Sequence, residues 1–514
     1  MPIDTQKYDR QLRLWATTGQ QSLATSHVCL VNANTLGCEV LKNLVLPGIG
    51  KFTIVDAEKV TQDDLSANFF LKASSLGEYR AEAAKNVLLE LNPDVAGEAV
   101  TAFRDDGAFW KQFSLVVVSN QFCELGSLKE RLWKWQVPLM VVNSVGFYGS
   151  LRVFAAELTA IESHPANPFG DLRLDKPWPE LQRYVDAISL PALDLVDHAH
   201  VPYVVILIKA LKEWRKLHAG GAPESSQEKR EFKEGIARMA RNIHTEVNFT
   251  EARDVSWRAC QVTETPAGIH ELMDLSRTAL HAAPERNRIF WVLVSALRLF
   301  QKEAGTLPLS GVLPDMASDT ASYVRLQDIY RAKARLDRLR FKKHVAAVLL
   351  SLEEGGEVSD EVAETFCKNA RTLFVARSSN TDDLNTELVE ILTRGESPGA
   401  MQAEYEDEGL ANLYVYLSLL ANTHHYNTRA SAATLPDLYL AVREVLGSVH
   451  IPAKLDQTLQ EVVRAQNREF HNTSSLMGGM AGQEALKVLM AQYRVLDNCF
   501  VWDGIKSRSD KWKV

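Results

Sequence analysis

Between Val28 and Asp56 two short apolar runs flank a turn and an amphipathic segment, and this stretch limits the fold more than any other. Val28-Cys29-Leu30-Val31 leads into Asn32-Ala33-Asn34-Thr35-Leu36-Gly37. Val40, Leu41, Leu44 and Val45 then recur at helical spacing, with Pro47 and Gly48 closing the segment. Phe52-Thr53-Ile54-Val55 is the second run, and Asp56 stands at its end. Strand, tight turn, helix, strand and acid outline a nucleotide-binding βαβ unit. The turn departs from that outline. Where the fingerprint has Gly-x-Gly-x-x-Gly, this chain has Asn32, Asn34 and only the last glycine, Gly37.

The first two glycines let the backbone turn sharply and bring its N–H groups close to a phosphate at the helix N-terminus. Asparagine tolerates left-handed geometry, so the turn itself survives. Two asparagine side chains would nevertheless fill space that a pyrophosphate needs. The expectation is a retained fold whose own nucleotide pocket is lost; an atypical but working dinucleotide site is the competing reading. Asp56 has two roles open to it, hydrogen-bonding a ribose or capping the turn that follows.

At 514 residues the chain has room for two to four domains. The net charge of -8 argues against a general nucleic-acid binder. Six cysteines without a Cys-x-x-Cys pair argue against structural zinc and against a disulfide framework. The start, Met1 to Lys7, lacks the basic and apolar regions of a signal peptide. The longest apolar run, near Val204 to Ile208, is too short to span a bilayer, so no membrane is expected. A cytoplasmic and nuclear protein fits.

Thr5 or Asp4 caps a first helix running through Trp15, with Gly19 beyond its end. Arg10 and Arg13 lie off the face of Tyr8, Leu12 and Trp15, as a solvated helix face would place them. Beyond the βαβ unit, helices are expected at Tyr79–Leu91 and Leu125–Trp135, with buried strands at Leu115–Val118 and Leu139–Val142. Phe147–Phe154 reads as a further strand at the sheet edge. This alternation predicts an α/β fold with a doubly wound, mainly parallel sheet. From Ser163 to Phe470 long helical patterns dominate: Val204–Lys216, Glu228–Arg241, Arg288–Gln301, Tyr323–Leu350, Leu410–Leu420 and Leu435–Leu446. A helix from Ser474 or Ser475 then carries Gly478, Gly479, Ala481 and Gly482, which imply a second backbone packed very close. The expected division is residues 1–162, a helical insertion at 163–470, and a closing part at 471–514 that rejoins the first domain.

Arg331, Lys333, Arg335, Arg338, Arg340, Lys342 and Lys343 make a basic helix, read as a solvated face or a docking face for an acidic partner. His198 and His200, and His424 and His425, lack ligand partners at metal spacing. Cys260 and Cys367 lack an electropositive setting, and core packing is expected for both.

Three stretches then carry a resemblance: Tyr8-Asp9-Arg10-Gln11-Leu12-Arg13-Leu14-Trp15, Leu44-Val45-Leu46-Pro47-Gly48-Ile49-Gly50 and Phe52-Thr53-Ile54-Val55-Asp56. With Asn68-Phe69-Phe70-Leu71, Asp171-Leu172-Arg173-Leu174-Asp175-Lys176-Pro177 and Gly478-Gly479-Met480-Ala481-Gly482-Gln483-Glu484, the chain resembles the ubiquitin-activating-enzyme superfamily. It is most similar to the inactive adenylation halves, the regulatory subunits of the neddylation branch, over essentially its whole length.

The resemblance implies a Rossmann-like adenylation fold, whose insertion corresponds to a catalytic-cysteine domain without its nucleophile. Active halves adenylate a ubiquitin-like modifier with Mg-ATP and then form a thioester. Where they place an Asn-Arg pair this chain has Ser66-Ala67; their lysine is Arg80, and their metal-binding Asp falls near Asn120-Gln121. No cysteine lies in their Pro-x-Cys-Thr setting. The implied chain is therefore not an enzyme alone and binds no cofactor or metal, Asn32, Asn34, Gly37 and Asp56 being a degenerate loop. Its partners would be a catalytic subunit holding Mg-ATP and the modifier of the neddylation pathway. Arg10 would reach the partner's ATP phosphates in trans. The segment from Asp315 to Lys333, with Tyr323, Leu326 and Tyr330, would face the partner. Alternatives are the regulatory half of a SUMO-activating enzyme, a free-standing adenylating enzyme, and a pure protein-binding adaptor.

Overall fold

The computed structural model describes residues 4–104, 106–120, 125–165, 170–353, 357–378, 403–429, 431–446 and 454–514. The chain forms two compact units, Met1–Ala160 with Val375–Val514, and Ile161–Phe374.

The first unit is built on one eight-stranded sheet. Its first six strands are β1 (His27–Val31), β2 (Lys51–Val55), β3 (Ala96–Val100), β4 (Leu115–Ser119), β5 (Leu139–Val145) and β6 (Tyr148–Phe154). The last two, β7 (Cys499–Asp503) and β8 (Arg508–Trp512), come from the far end of the chain. The spatial order is β8-β7-β6-β5-β4-β1-β2-β3. Neighbours from β3 through β5 pair parallel; β5–β6, β6–β7 and β7–β8 pair antiparallel. Strand order reverses between β1 and β4, the position where open sheets of this kind form a ligand crevice. All five residues of β4 are buried, as a strand covered on both faces must be. β6 is not an edge strand: β7 pairs with its outer side in a register running from Tyr148–Asp503 to Arg152–Cys499.

The opening helix α1 (Asp9–Thr25) runs beyond the expected end at Trp15. The stop signal shows instead as a kink, with Ala16 at φ 58°. Helix α2 (Thr35–Val45) lies between β1 and β2, and α3 (Arg80–Leu91) between β2 and β3. On one sheet face Cys29, Val31, Val116 and Val118 meet Trp110, Leu128 and Leu132, each nearly or fully buried. Burying such a side chain contributes roughly 1.5–3 kcal/mol.

The second unit, Ile161–Phe374, is helical, with long helices at Tyr203–Leu217, Arg288–Ala304 and Thr320–Ser351. The basic run on Thr320–Ser351 is partly neutralised at home: Lys333 pairs with Asp337, Arg338 with Glu364, and Lys342 with Glu357 and Asp360.

The expected division at 163–470 and 471–514 needs correction at its second boundary. The chain rejoins the sheet unit at Val375, not at 471. The physical reason is a shared core. Leu413 and Leu417 of α4 (Ala403–Arg429), and Leu455 and Leu459 of α5 (Leu455–Ala465), bury themselves with Tyr148 of β6 and Cys499 and Val501 of β7. The last helix, α6 (His471–Met490), then packs along α2. Among the described residues no helix is long and apolar enough to cross a membrane.

Candidate functional site

At the C-terminal ends of β1 and β4 lies a cavity of about 700 Å³. Its lining includes Asn32, Asn34, Thr35, Asp56, Arg80, Asn120 and Glu469. Here the degenerate turn takes its shape. Asn32 adopts left-handed geometry (φ 73°), the conformation a glycine would otherwise supply. Asn34 N-caps α2: its Oδ1 accepts from the Gly37 amide at 2.9 Å and from Ser119 Oγ at 2.6 Å. Gly37 survives for packing, because a Cβ there would stand 2.6 Å from Asn32 O.

Asp56 is buried, and both its oxygens are engaged. Oδ2 accepts from the Ala33 amide at 2.8 Å and from Arg80 Nε at 2.7 Å, and Oδ1 from the Glu58 amide at 2.9 Å. Of the two roles, the structure shows the turn contact, made by the Glu58 amide two residues on. Arg80 also donates to Asp64 Oδ1 at 3.1 Å and to Asn32 Oδ1 at 2.7 Å, so its guanidinium is committed within the chain.

Glu469 is the cavity-lining residue that sequence reasoning missed. Its carboxylate accepts from the Thr35 amide at 2.9 Å and the Leu36 amide at 3.1 Å, in the opening turn of α2. Asn120 Nδ2 donates to the same group at 2.8 Å, from the position near which the resemblance puts a metal-binding acid. Burial pushes the Glu469 carboxyl above the usual range, while the Leu36 and Thr35 amides and the Arg80 charge pull the other way. Gln121 lies outside the described residues. Ser66 and Ala67 line the cavity and bring no positive charge.

These residues do not fit a nucleotide triphosphate. The amides that would meet a phosphate already hold a carboxylate. Five acids (Asp56, Glu58, Asp63, Asp64, Glu469) line the cavity against two guanidiniums, Arg80 and Arg468, so a polyanion would meet net repulsion.

The ThiF family matches residues 8–514 of the chain. Over 532 residues the chain is 34% identical to the NEDD8-activating enzyme E1 regulatory subunit of Xenopus laevis, covering 100% of this chain and 99% of that one. The chain belongs to the ThiF family, among its NEDD8-activating enzyme E1 regulatory subunits. It is also 34% identical over 526 residues to the NEDD8-activating enzyme E1 regulatory subunit AXL of Arabidopsis thaliana, covering 98% of each. The crystal structure of E. coli MccB with ATP matches 30% of this chain and 50% of that one, with 16% identity and a TM-score of 0.27, a likeness too slight to argue from.

In this regulatory-subunit chain Arg10 is exposed on the first turns of α1, clear of the cavity lining. Its neighbour Arg13 pairs with Asp9 at 3.0 Å; among the described residues Arg10 has no ion-pair partner. Two expected interface residues need correction. Leu326 and Tyr330 are fully buried in the helical unit's own core, where Tyr330 stacks edge-on against Trp178 and donates to Leu172 O at 2.6 Å. They offer no surface to a partner, and Tyr323 packs half-buried beside them.

The cysteines are equally withdrawn. Cys29, Cys38, Cys367 and Cys499 are buried and Cys260 half-buried. Burial raises all five thiols, Cys38 to about 12, the opposite of what a nucleophile needs. Cys123 lies outside the described residues. His198 is committed to Glu246, its Nδ1 lying 2.5 Å from Oε1, and His424 Nε2 is 2.9 Å from Glu444 Oε2.

Proposed function

We propose that this chain is the non-catalytic half of a heterodimer, working in the cytoplasm and nucleus. Its partner, a catalytic subunit, holds the Mg-ATP site that adenylates the ubiquitin-like modifier of the neddylation pathway and charges it as a thioester. The present chain binds no nucleotide itself and sends Arg10 across the subunit boundary to the partner's phosphates. One observation carries this reading: the chain's own cradle is satisfied from within, Glu469 on the α2 amides and Arg80 tied to Asp56 and Asp64. A fold that keeps its sheet but spends its ligand groups on itself has pairing, not chemistry, left to do.

Exposed apolar side chains supply surface for that pairing. Phe69 is 71% exposed, and Leu476 and Met480, four apart on α6, share a face open to solvent. Arg10 sits between two buried anchors on the opening segment, Tyr8 and Trp15, so its backbone is held in place before a partner arrives.

The test is co-purification with a candidate catalytic subunit, followed by a thioester assay with and without this chain. A gain in thioester on adding the chain supports the proposal. No gain, with the complex intact, makes it an adaptor instead. Mg-ATP binding by the isolated chain in titration calorimetry would point to a free-standing adenylating enzyme.

A further inference from the structure

Among nucleotide-binding folds the opening turn of the helix after the first strand is where phosphate is received, because its N–H groups have no partner within the helix. Here that turn already has a carboxyl group on its amides. The Glu469 carboxylate bridges the Thr35 and Leu36 amides and takes a third hydrogen bond from Asn120. Its backbone is fixed as well: Glu469 forms an isolated parallel bridge with Gly146, whose amide donates to Arg468 O at 2.9 Å. The carboxylate is thus held from both ends, not parked by a mobile side chain. Beside it the cavity of about 700 Å³ remains. Space for a ligand persists while the place for its charge is taken.

We infer that Glu469 is a built-in anion occupying the phosphate position of α2, and that it closes this chain's cradle to phosphate-bearing ligands. The same carboxylate ties the start of the last helix to the β1–α2 turn, a joint a bound nucleotide would otherwise make. The asparagines of the turn do not close the site by themselves. Asn34 points its oxygen inward to Gly37 and Ser119, and Asn32 faces Arg80. This inference rests on the reading that this chain binds no nucleotide itself, while the pairing and the role of Arg10 stand or fall by the thioester assay with the catalytic subunit.

The experiment uses the full chain without a catalytic subunit, with inorganic pyrophosphate as the probe. Wild-type protein should show no pyrophosphate-dependent change in melting temperature. Glu469→Ala should melt lower by about 2–8 °C. It should recover part of that loss with pyrophosphate, with a Kd on the order of 1 mM or tighter. Two results overturn the inference: wild type responding to pyrophosphate as strongly as Glu469→Ala, or Glu469→Ala gaining no response. If Glu469→Ala does not fold, Glu469→Gln decides, since it keeps the volume and removes the charge. A melting temperature below wild type supports the built-in anion; an unchanged one overturns it.

Discussion

Arg80 Nε stands 2.7 Å from Asp56 Oδ2, both side chains nearly out of water. By resemblance Arg80 stands where active halves carry a lysine, and a nucleotide-binding βαβ unit offers Asp56 a ribose or the following turn; here the two side chains pair with each other. Removing the guanidinium leaves Asp56 and Asp64 facing the same space without a cation. Breaking a buried pair from one side costs about 3–5 kcal/mol. Arg80→Ala should therefore lower unfolding stability by that amount in urea titrations. Arg80→Lys should recover only part, because a point charge cannot reach Asp56, Asp64 and Asn32 together. A loss under about 1 kcal/mol for Arg80→Ala would mean that water replaces the guanidinium.

Much of the sheet unit was legible in the sequence because its signals are local. The runs Val28–Val31 and Phe52–Val55 are short, apolar and bounded by turn residues, and Asn32 is a residue type that accepts the left-handed geometry it adopts. Glu469 was not legible, because its partner Thr35 lies 434 residues away and no periodicity links them. The return at Val375 was hidden for a related reason. Helices α4 and α5 have the same texture as those of the helical unit, and a periodic apolar stripe does not say which surface will cover it. Tyr323, Leu326 and Tyr330 recur at spacings of three and four, the stripe of a helix facing its own core, and two of them are buried there.

The small residues of α6 test close packing residue by residue. A Cβ on Gly478 would stand 2.5 Å from Glu39 Cβ, and one on Gly482 2.5 Å from Asn43 Cβ, both on α2. A Cβ on Gly479 would meet nothing within 4 Å. Gly478→Ala and Gly482→Ala should each destabilise by about 1–3 kcal/mol, as overpacking does. Gly479→Ala should stabilise by roughly 0.5–1 kcal/mol through helix propensity. Equal effects at all three positions in denaturant titrations would refute the close approach of α2 and α6.

His27 gives the sheet unit a dependence on acid. Burial, and then the Lys51 charge, bring its imidazole down to about 4, against about 6.5 for a free one. Its Nε2 lies 2.8 Å from Thr53 Oγ1. Between those two values the unfolded chain binds the proton and the folded chain does not. The contribution is thus complete above about pH 6.5 and is lost as pH falls toward about 4. His27→Gln should flatten the fall of melting temperature across that window relative to wild type. Identical slopes by circular dichroism would mean His27 titrates alike in both states.

Arg10 is the side chain on which the trans role turns. Tyr8 is fixed by Asn92, whose Nδ2 donates to its hydroxyl at 3.0 Å, and Trp15 Nε1 donates to Gln20 Oε1 at 2.9 Å. Between these anchors Arg10 projects into solvent, positioned but unspent. Losing one charge-assisted contact to a phosphate slows a reaction by about 10- to 100-fold. Arg10→Ala should slow pyrophosphate exchange by the complex by that factor while leaving co-purification with the catalytic subunit unchanged. Arg13→Ala, three residues on and already paired with Asp9, should leave exchange near wild type. A wild-type exchange rate for Arg10→Ala would remove the trans role and leave Arg10 a solvated charge on an exposed helix.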